Sequence, residues 1–128
     1  MAESAKGAVE PAASSAEAVV LDGEDQKIIT LARASRARIG AAEGAAVRDT
    51  DGRTYSACTV ALPSLSLTAL QAAVAAAVAS GATGLEAAAV VTESPAVDEA
   101  SAAAVRDLSP NAPVFRADAS GRLLDTLR

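Results

Sequence analysis

The sequence predicts an α/β layered domain, a mixed β-sheet with helices packed on it, over residues 24–128. Three observations carry that expectation. Helical and strand-like stretches alternate in the order helix, hairpin, helix, strand, helix, strand. An Asp51-Gly52 turn joins two strand-like runs, and Ala87–Val91 is the kind of short apolar run that fits a strand covered on both faces. Residues 1–23 mix Ala, Ser and Glu with Lys6 as the sole base, and read as a flexible, acidic low-complexity tail.

The first helix is expected over Glu24–Ile39. Ile28, Leu31 and Ser35 fall on one side with Ile29 beside them, Asp22 or Asp25 can cap its start, and Gly40 stands where a stop belongs. Gly44–Arg48 and Thr54–Val60 flank the Asp-Gly turn as the hairpin. After Pro63 a helix is expected over Ser66–Ser80, closed by Gly81, with Leu67, Leu70, Val74 and Val78 on one face. Its alanines fit either close packing at the centre of the fold or of an oligomer, or helix propensity alone. A strand over Ala87–Val91, a third helix over Asp98–Leu108 ended by Ser109-Pro110, and a last strand over Pro113–Ala117 before Ser120-Gly121 complete the order.

Composition excludes several chemistries. The 128 residues include 35 alanines but only 27 of Leu, Ile, Val and Phe together, with one Cys, one Tyr, no Trp and no His. Without histidine there is no Ser-His or Cys-His nucleophilic pair, and Cys58 alone cannot build a Cys/His zinc site or an internal disulfide. A net charge of -5 repels phosphate backbones, so nucleic acid is not an expected partner. The longest apolar stretch, Leu67–Ala79, is shorter than the roughly 18 to 20 residues of a membrane span, and the N-terminus lacks signal-peptide character. The expected setting is cytoplasmic.

Lined up, these elements resemble a known family. Leu31-Ala32-Arg33-Ala34, Gly44-Ala45-Ala46-Val47, Asp51-Gly52-Arg53-Thr54-Tyr55 and Cys58-Thr59-Val60 look like the opening of the small zinc-dependent cytidine deaminases. Ala77-Val78-Ala79-Ser80-Gly81 looks like the end of that family's first zinc-bearing helix. Ala88-Ala89-Val90-Val91 and Leu108-Ser109-Pro110-Asn111-Ala112-Pro113-Val114-Phe115 look like its later strand and segment. The resemblance spans Glu24–Ala117 and implies a three-layer cytidine-deaminase-like domain.

It also implies a chemistry that the residues do not carry. The family enzyme activates water on a zinc held by a Cys/His-Ala-Glu motif and a Pro-Cys-x-x-Cys motif, with the Glu shuttling protons. Counting back from Gly81 puts the first motif on Thr68-Ala69-Leu70, and counting back from Pro110 puts the second on Val97–Ser101, with Asp98 and Ser101 at the thiolate positions. One carboxylate and two neutral hydroxyls are a poor zinc set, and Thr68, Asp98 and Ser101 also read as helix-start residues. The family's substrate-binding Phe, Asn and Glu fall on Ala41, Thr59 and Ala61, leaving Ala69, which acts through its backbone.

The expectation is therefore a catalytically inactive cytidine-deaminase-like protein with no cofactor, acting through protein contacts as a dimer or tetramer of itself, with a further, unidentified protein partner left open. Two alternatives stand beside it. One is a hydrolase using Asp98, Glu99 or Glu93; the other is a small-molecule module with an open, largely apolar pocket lined by Thr68, Leu70 and Ala41. Cys58 reads as a buried apolar filler rather than a reactive thiol. Arg33, Arg36 and Arg38 read as helix-dipole compensation rather than an anion site, and Glu93–Glu99 as a solvated loop rather than a cation site.

Overall fold

Asp22 starts the first helix by accepting the Asp25 N–H at 2.8 Å, in a computed structural model that describes residues 21–128. The tail expected before that point lies outside the described residues, apart from Leu21–Gly23, of which Asp22 is the extended cap and Gly23 the first residue of the helix. Helix α1 runs Gly23–Ile39 and ends at Gly40, whose φ of 65° is the left-handed stop that glycine adopts freely. Ile28, Ile29, Ala32 and Ser35 form its buried face, while Leu31 lies at the edge of that face, half-buried.

Strands β1 (Gly44–Asp49), β2 (Thr54–Cys58), β5 (Leu85–Val91), β6 (Val114–Ala117) and β7 (Leu123–Leu127) make one sheet in the order β2-β1-β5-β6-β7. Strand β5 runs parallel to β6, and the other neighbours are antiparallel, so the sheet is mixed. Alternate side chains divide the core. Ala46, Ala87, Ala89, Val91, Phe115 and Ala117 meet Ile28, Ile29 and Ala32 of α1 on one face. Ala45, Val47, Ala88, Val90 and Val114 meet α2 (Ala69–Ala79) and α3 (Glu99–Leu108) on the other. Because both faces are covered, all six residues of β1 are buried, including Arg48, whose guanidinium lies between Asp25 and Glu86.

Two loops of like sequence close two hairpins. In Asp49-Thr50-Asp51-Gly52-Arg53, Asp49 Oδ1 accepts the N–H of Asp51 and of Arg53, both at 2.9 Å, and Gly52 takes φ 85°. In Asp118-Ala119-Ser120-Gly121-Arg122, Asp118 Oδ1 accepts the N–H of Ser120 at 3.0 Å and of Arg122 at 3.1 Å, and Gly121 takes φ 89°. Burial pushes the Asp49 carboxyl up, but the Tyr55 hydroxyl at 2.8 Å, the two amides and the Arg53 charge outweigh it, so its pKa lies below the ordinary aspartate value.

The structure differs from the sequence expectation in four places. The second helix starts at Ala69, because Val60–Leu62 and Leu65–Leu67 form a separate two-stranded hairpin, β3–β4, around Pro63-Ser64. Val78 is 51% exposed, and Ala69, Ala73 and Ala77 share the buried face with Leu70 and Val74. Strand β7 follows the Ser120-Gly121 turn, so Pro113–Ala117 is not the last strand. Cys58 sits at the end of β2 and is half-buried rather than buried. Among the described residues no helix is long and apolar enough to cross a membrane.

Candidate functional site

An open cleft of about 530 Å³ lies at one end of the sheet. Strand register builds it: Gly44 of β1 stands opposite both Cys58 of β2 and Val91 of β5. The next residues along each strand, Glu43, Thr59 and Thr92, therefore converge at that end. This is also the carboxyl end of β5, which runs parallel to β6, the place where open α/β sheets bind ligands. Thr59 Oγ1 accepts the Glu43 N–H at 3.1 Å, and the Thr92 hydroxyl donates to Glu43 Oε2 at 2.9 Å. Arg36 from the last turn of α1 donates from Nε to the Ala41 carbonyl at 3.2 Å and from Nη2 to Glu93 Oε2 at 3.2 Å. Ser66, Leu67, Thr68, Ser94 and Asp98 complete the wall.

Of the candidate site residues singled out in the sequence, the cleft collects Arg36, Thr59, Thr68, Glu93 and Asp98. Thr68 caps α2 by accepting the Gln71 N–H at 3.1 Å, while the Gln71 side chain accepts the Thr68 N–H at 2.9 Å, a reciprocal capping box. Asp98 caps α3 with a longer bond to the Ala100 N–H. Ser101 is buried in the first turn of α3, and its hydroxyl lies 2.7 Å from Thr68 Oγ1. The remaining positions fall elsewhere: Leu70 and Ala69 are wholly buried in the core, Ala61 is exposed on β3, and the cleft is lined by Ala42 rather than Ala41.

The cleft is open as expected of a binding module, but of the three residues expected to line it only Thr68 does: Leu70 turns into the α2 core and Ala42 stands in place of Ala41. Glu93 pairs with Arg36, so this arginine bridges to a loop instead of only compensating a helix end. Glu99 turns away to Arg106 at 2.8 Å. Sequence reasoning missed Glu43, Ser66, Thr92 and Ser94 as wall residues. The signal available for Glu43 and Thr92 was their place next to the ends of β1 and β5.

The family chemistry described above implies a zinc, and the donors here do not fit it. Thr68 Oγ1 is engaged by the Gln71 amide and the Ser101 hydroxyl, and the Asp98 carboxylate is engaged at the start of α3. Among the described residues no three His, Cys, Asp or Glu side chains gather as a metal group. Zinc favours thiolate and imidazole, which this set lacks.

An α1 layer, a mixed five-stranded sheet and an α2/α3 layer, with a cleft at the ends of β1, β2 and β5 walled mostly by polar residues, define a three-layer α/β domain. The family model for cytidine deaminase-like proteins matches residues 21–121, and the chain belongs to that family. Among solved structures it is similar to the cytidine deaminase from Burkholderia pseudomallei, with a TM-score of 0.69 and 25% identity over 79% of this chain and 89% of that one. The cytidine deaminase from Mycobacterium leprae has the same fold, with a TM-score of 0.62 and 21% identity over 74% of this chain and 89% of that one. A search of curated proteins gave no match.

Proposed function

We propose that the chain is a catalytically inactive member of its family, a cytoplasmic protein that acts through protein contacts, as an oligomer of itself, without a metal or other cofactor. One observation carries the loss of catalysis. The residue two places after Thr68, which the family motif aligns with the proton-shuttling Glu, is Leu70, an apolar side chain with 0% exposure in the α2 core. No side chain there can give or take a proton. The polar groups that remain in the cleft are held by one another: Glu43 by Thr92, and Glu93 by Arg36.

Exposed apolar side chains support the contact role. Leu62 and Leu65, opposite each other on the β3–β4 hairpin, are 59% and 49% exposed. A lone two-stranded hairpin is marginal in water, so covering these leucines with a second copy would stabilise both. With so few large apolar residues per subunit, burial between subunits adds a useful share of stability.

The test joins metal analysis of the purified protein to deamination assays on cytidine and deoxycytidine. No zinc and no turnover above background are expected; one equivalent of zinc with turnover would overturn the reading. Light scattering at micromolar concentration checks the assembly, and a clean monomer would remove it. A second reading is favoured by the open cleft, whose wall brings Arg36 together with Glu43, Glu93 and Asp98: a module that binds a small polar molecule carrying both charges. A thermal-shift screen with small zwitterions separates it, since saturable stabilisation lost in Arg36→Ala would support binding.

A further inference from the structure

The first turns of α2 and α3 meet at two hydroxyls. Ser101 is 2% exposed, and its bond to Thr68 Oγ1 at 2.7 Å is its only side-chain hydrogen bond among the described residues. A hydroxyl carries one proton and two acceptor positions. If Thr68 donated, the Ser101 proton would be buried with no acceptor, an unsatisfied donor that folding disfavours. Ser101 is therefore the donor. Thr68 Oγ1 then accepts from Ser101 and from the Gln71 N–H, which fills both of its acceptor positions and leaves its own proton free to face the cleft that Thr68 lines.

We propose that this hydroxyl pair is a metal-free joint that fastens α3 to the start of α2 and fixes the floor of the cleft. It stands on two positions that the family motifs assign to metal ligands, and it satisfies them with neutral hydrogen bonds that leave no donor set for an ion. The helices it fastens also share an apolar core. Leu70, Ala73, Val74 and Ala77 of α2 and Val105 of α3 belong to it, with Ala104 and Leu108 of α3 packed against it half-buried. Apolar contact is non-directional, whereas the buried bond at the helix starts sets one register. Neither hydroxyl titrates between acid and mildly alkaline pH, so the joint holds without regard to chelators or to pH in that range.

The inference shares the donor set of the proposed function but not its claim about protein contacts, and the test keeps them apart. Urea unfolding of the full chain is measured for the wild type, Ser101→Ala, Thr68→Val and the double variant, each with and without a chelator. Thr68→Val also removes the α2 cap, but that loss cancels in the cycle. Each single variant is expected to lower the folding equilibrium constant about fivefold or more, and the double to lose about fivefold less than the product of the two. Thr68→Ser, which keeps the hydroxyl, should stay near the wild type, and the wild-type midpoint should not move with chelator or added zinc. Multiplicative losses in metal-free protein would overturn the joint alone, as would a Thr68→Ser loss equal to that of Thr68→Val. If Thr68→Val fails to fold, Ser101→Ala alone decides: wild-type stability in that variant overturns the joint. A midpoint lowered by chelator would overturn the joint together with the metal-free reading of function.

Discussion

Replacing Gly44 with alanine probes how α1 is seated on the sheet. Gly44 opens β1, and its φ is not in the left-handed region, so backbone freedom is not the reason for glycine here. Space is. A Cβ at this position would lie 2.7 Å from the Arg36 backbone N and 2.8 Å from Arg36 Cβ, and still closer to the Ala32 carbonyl oxygen. Two of these three atoms are backbone of α1, which cannot swing aside as a flexible side chain would. The helix must lift from the sheet, loosening the layer in which Ile28, Ile29 and Ala32 pack on Ala46, Val91 and Phe115. Overpacking a tight core costs about 1–3 kcal/mol, and a rigid backbone obstacle belongs at or above the top of that range. At about 4 °C per kcal/mol for a domain of this length, the melting temperature should fall by about 12 °C or more. Gly23→Ala, in the first turn of α1 with nothing within 4 Å of the new Cβ, is the control and should be neutral or slightly stabilising. Differential scanning calorimetry of both variants decides. A Gly44→Ala midpoint within a few degrees of the wild type would refute the close approach of α1 and β1.

Three further outcomes follow from the same coordinates. Phe115→Ala empties the largest side chain among the most deeply buried and should cost about 3–5 kcal/mol in urea unfolding, with a loss under about 1 kcal/mol arguing against its place in the α1 layer. Tyr55 is the only tyrosine and the chain has no tryptophan, so alkaline absorbance reports on it alone. Its hydrogen bond to the Asp49 carboxylate, with burial and the Asp49 charge, should carry the titration midpoint above the ordinary 10.0, and a midpoint at or below that value would contradict the bond. Asp49 has a folded pKa below its ordinary 3.8, so its ionised form stabilises the fold fully above that value, and the contribution fades as pH falls through the folded pKa. Acid unfolding of Asp49→Asn should accordingly show a shallower pH dependence below about pH 4 than the wild type, and equal slopes would remove Asp49 as its source.

Much of the scaffold was legible because local chemistry and tertiary packing agree there. Asp22 and Gly40 bracket α1 at the residues that satisfy its end groups, and the Asp51-Gly52 turn stands between two real strands. Strand β5 was visible as a short apolar run, and α3 ends before Pro110 as the restriction on pre-proline residues requires. The β3–β4 hairpin was not visible. Over three residues, Leu65-Ser66-Leu67 fits the start of a helix as well as a strand, since two periods of that length cannot be told apart. Strand β7 had a signal that went unused: the Asp-x-x-Gly-Arg spacing of the first hairpin recurs at Asp118–Arg122, with the same carboxylate bonds.

The candidate site divides in the same way. Sequence spacing brought out Thr68, Asp98 and Ser101 as helix-start residues, and each lies in or just before a first helical turn. Spacing could not show that Thr68 and Ser101, 33 residues apart, bond to each other, or that Glu43, Thr59 and Thr92 meet in one wall. The sequence by itself determined the class of fold, its helix ends and turns, and the lack of histidine and of a second thiol, because these rest on residue type and on neighbours a few positions away. The tertiary structure alone decided which alanines are core, where Val78 faces, how the hydroxyls pair and which residues wall the cleft. Those depend on strand register and on the approach of α1, α2 and α3 to the sheet, distances that no local spacing encodes.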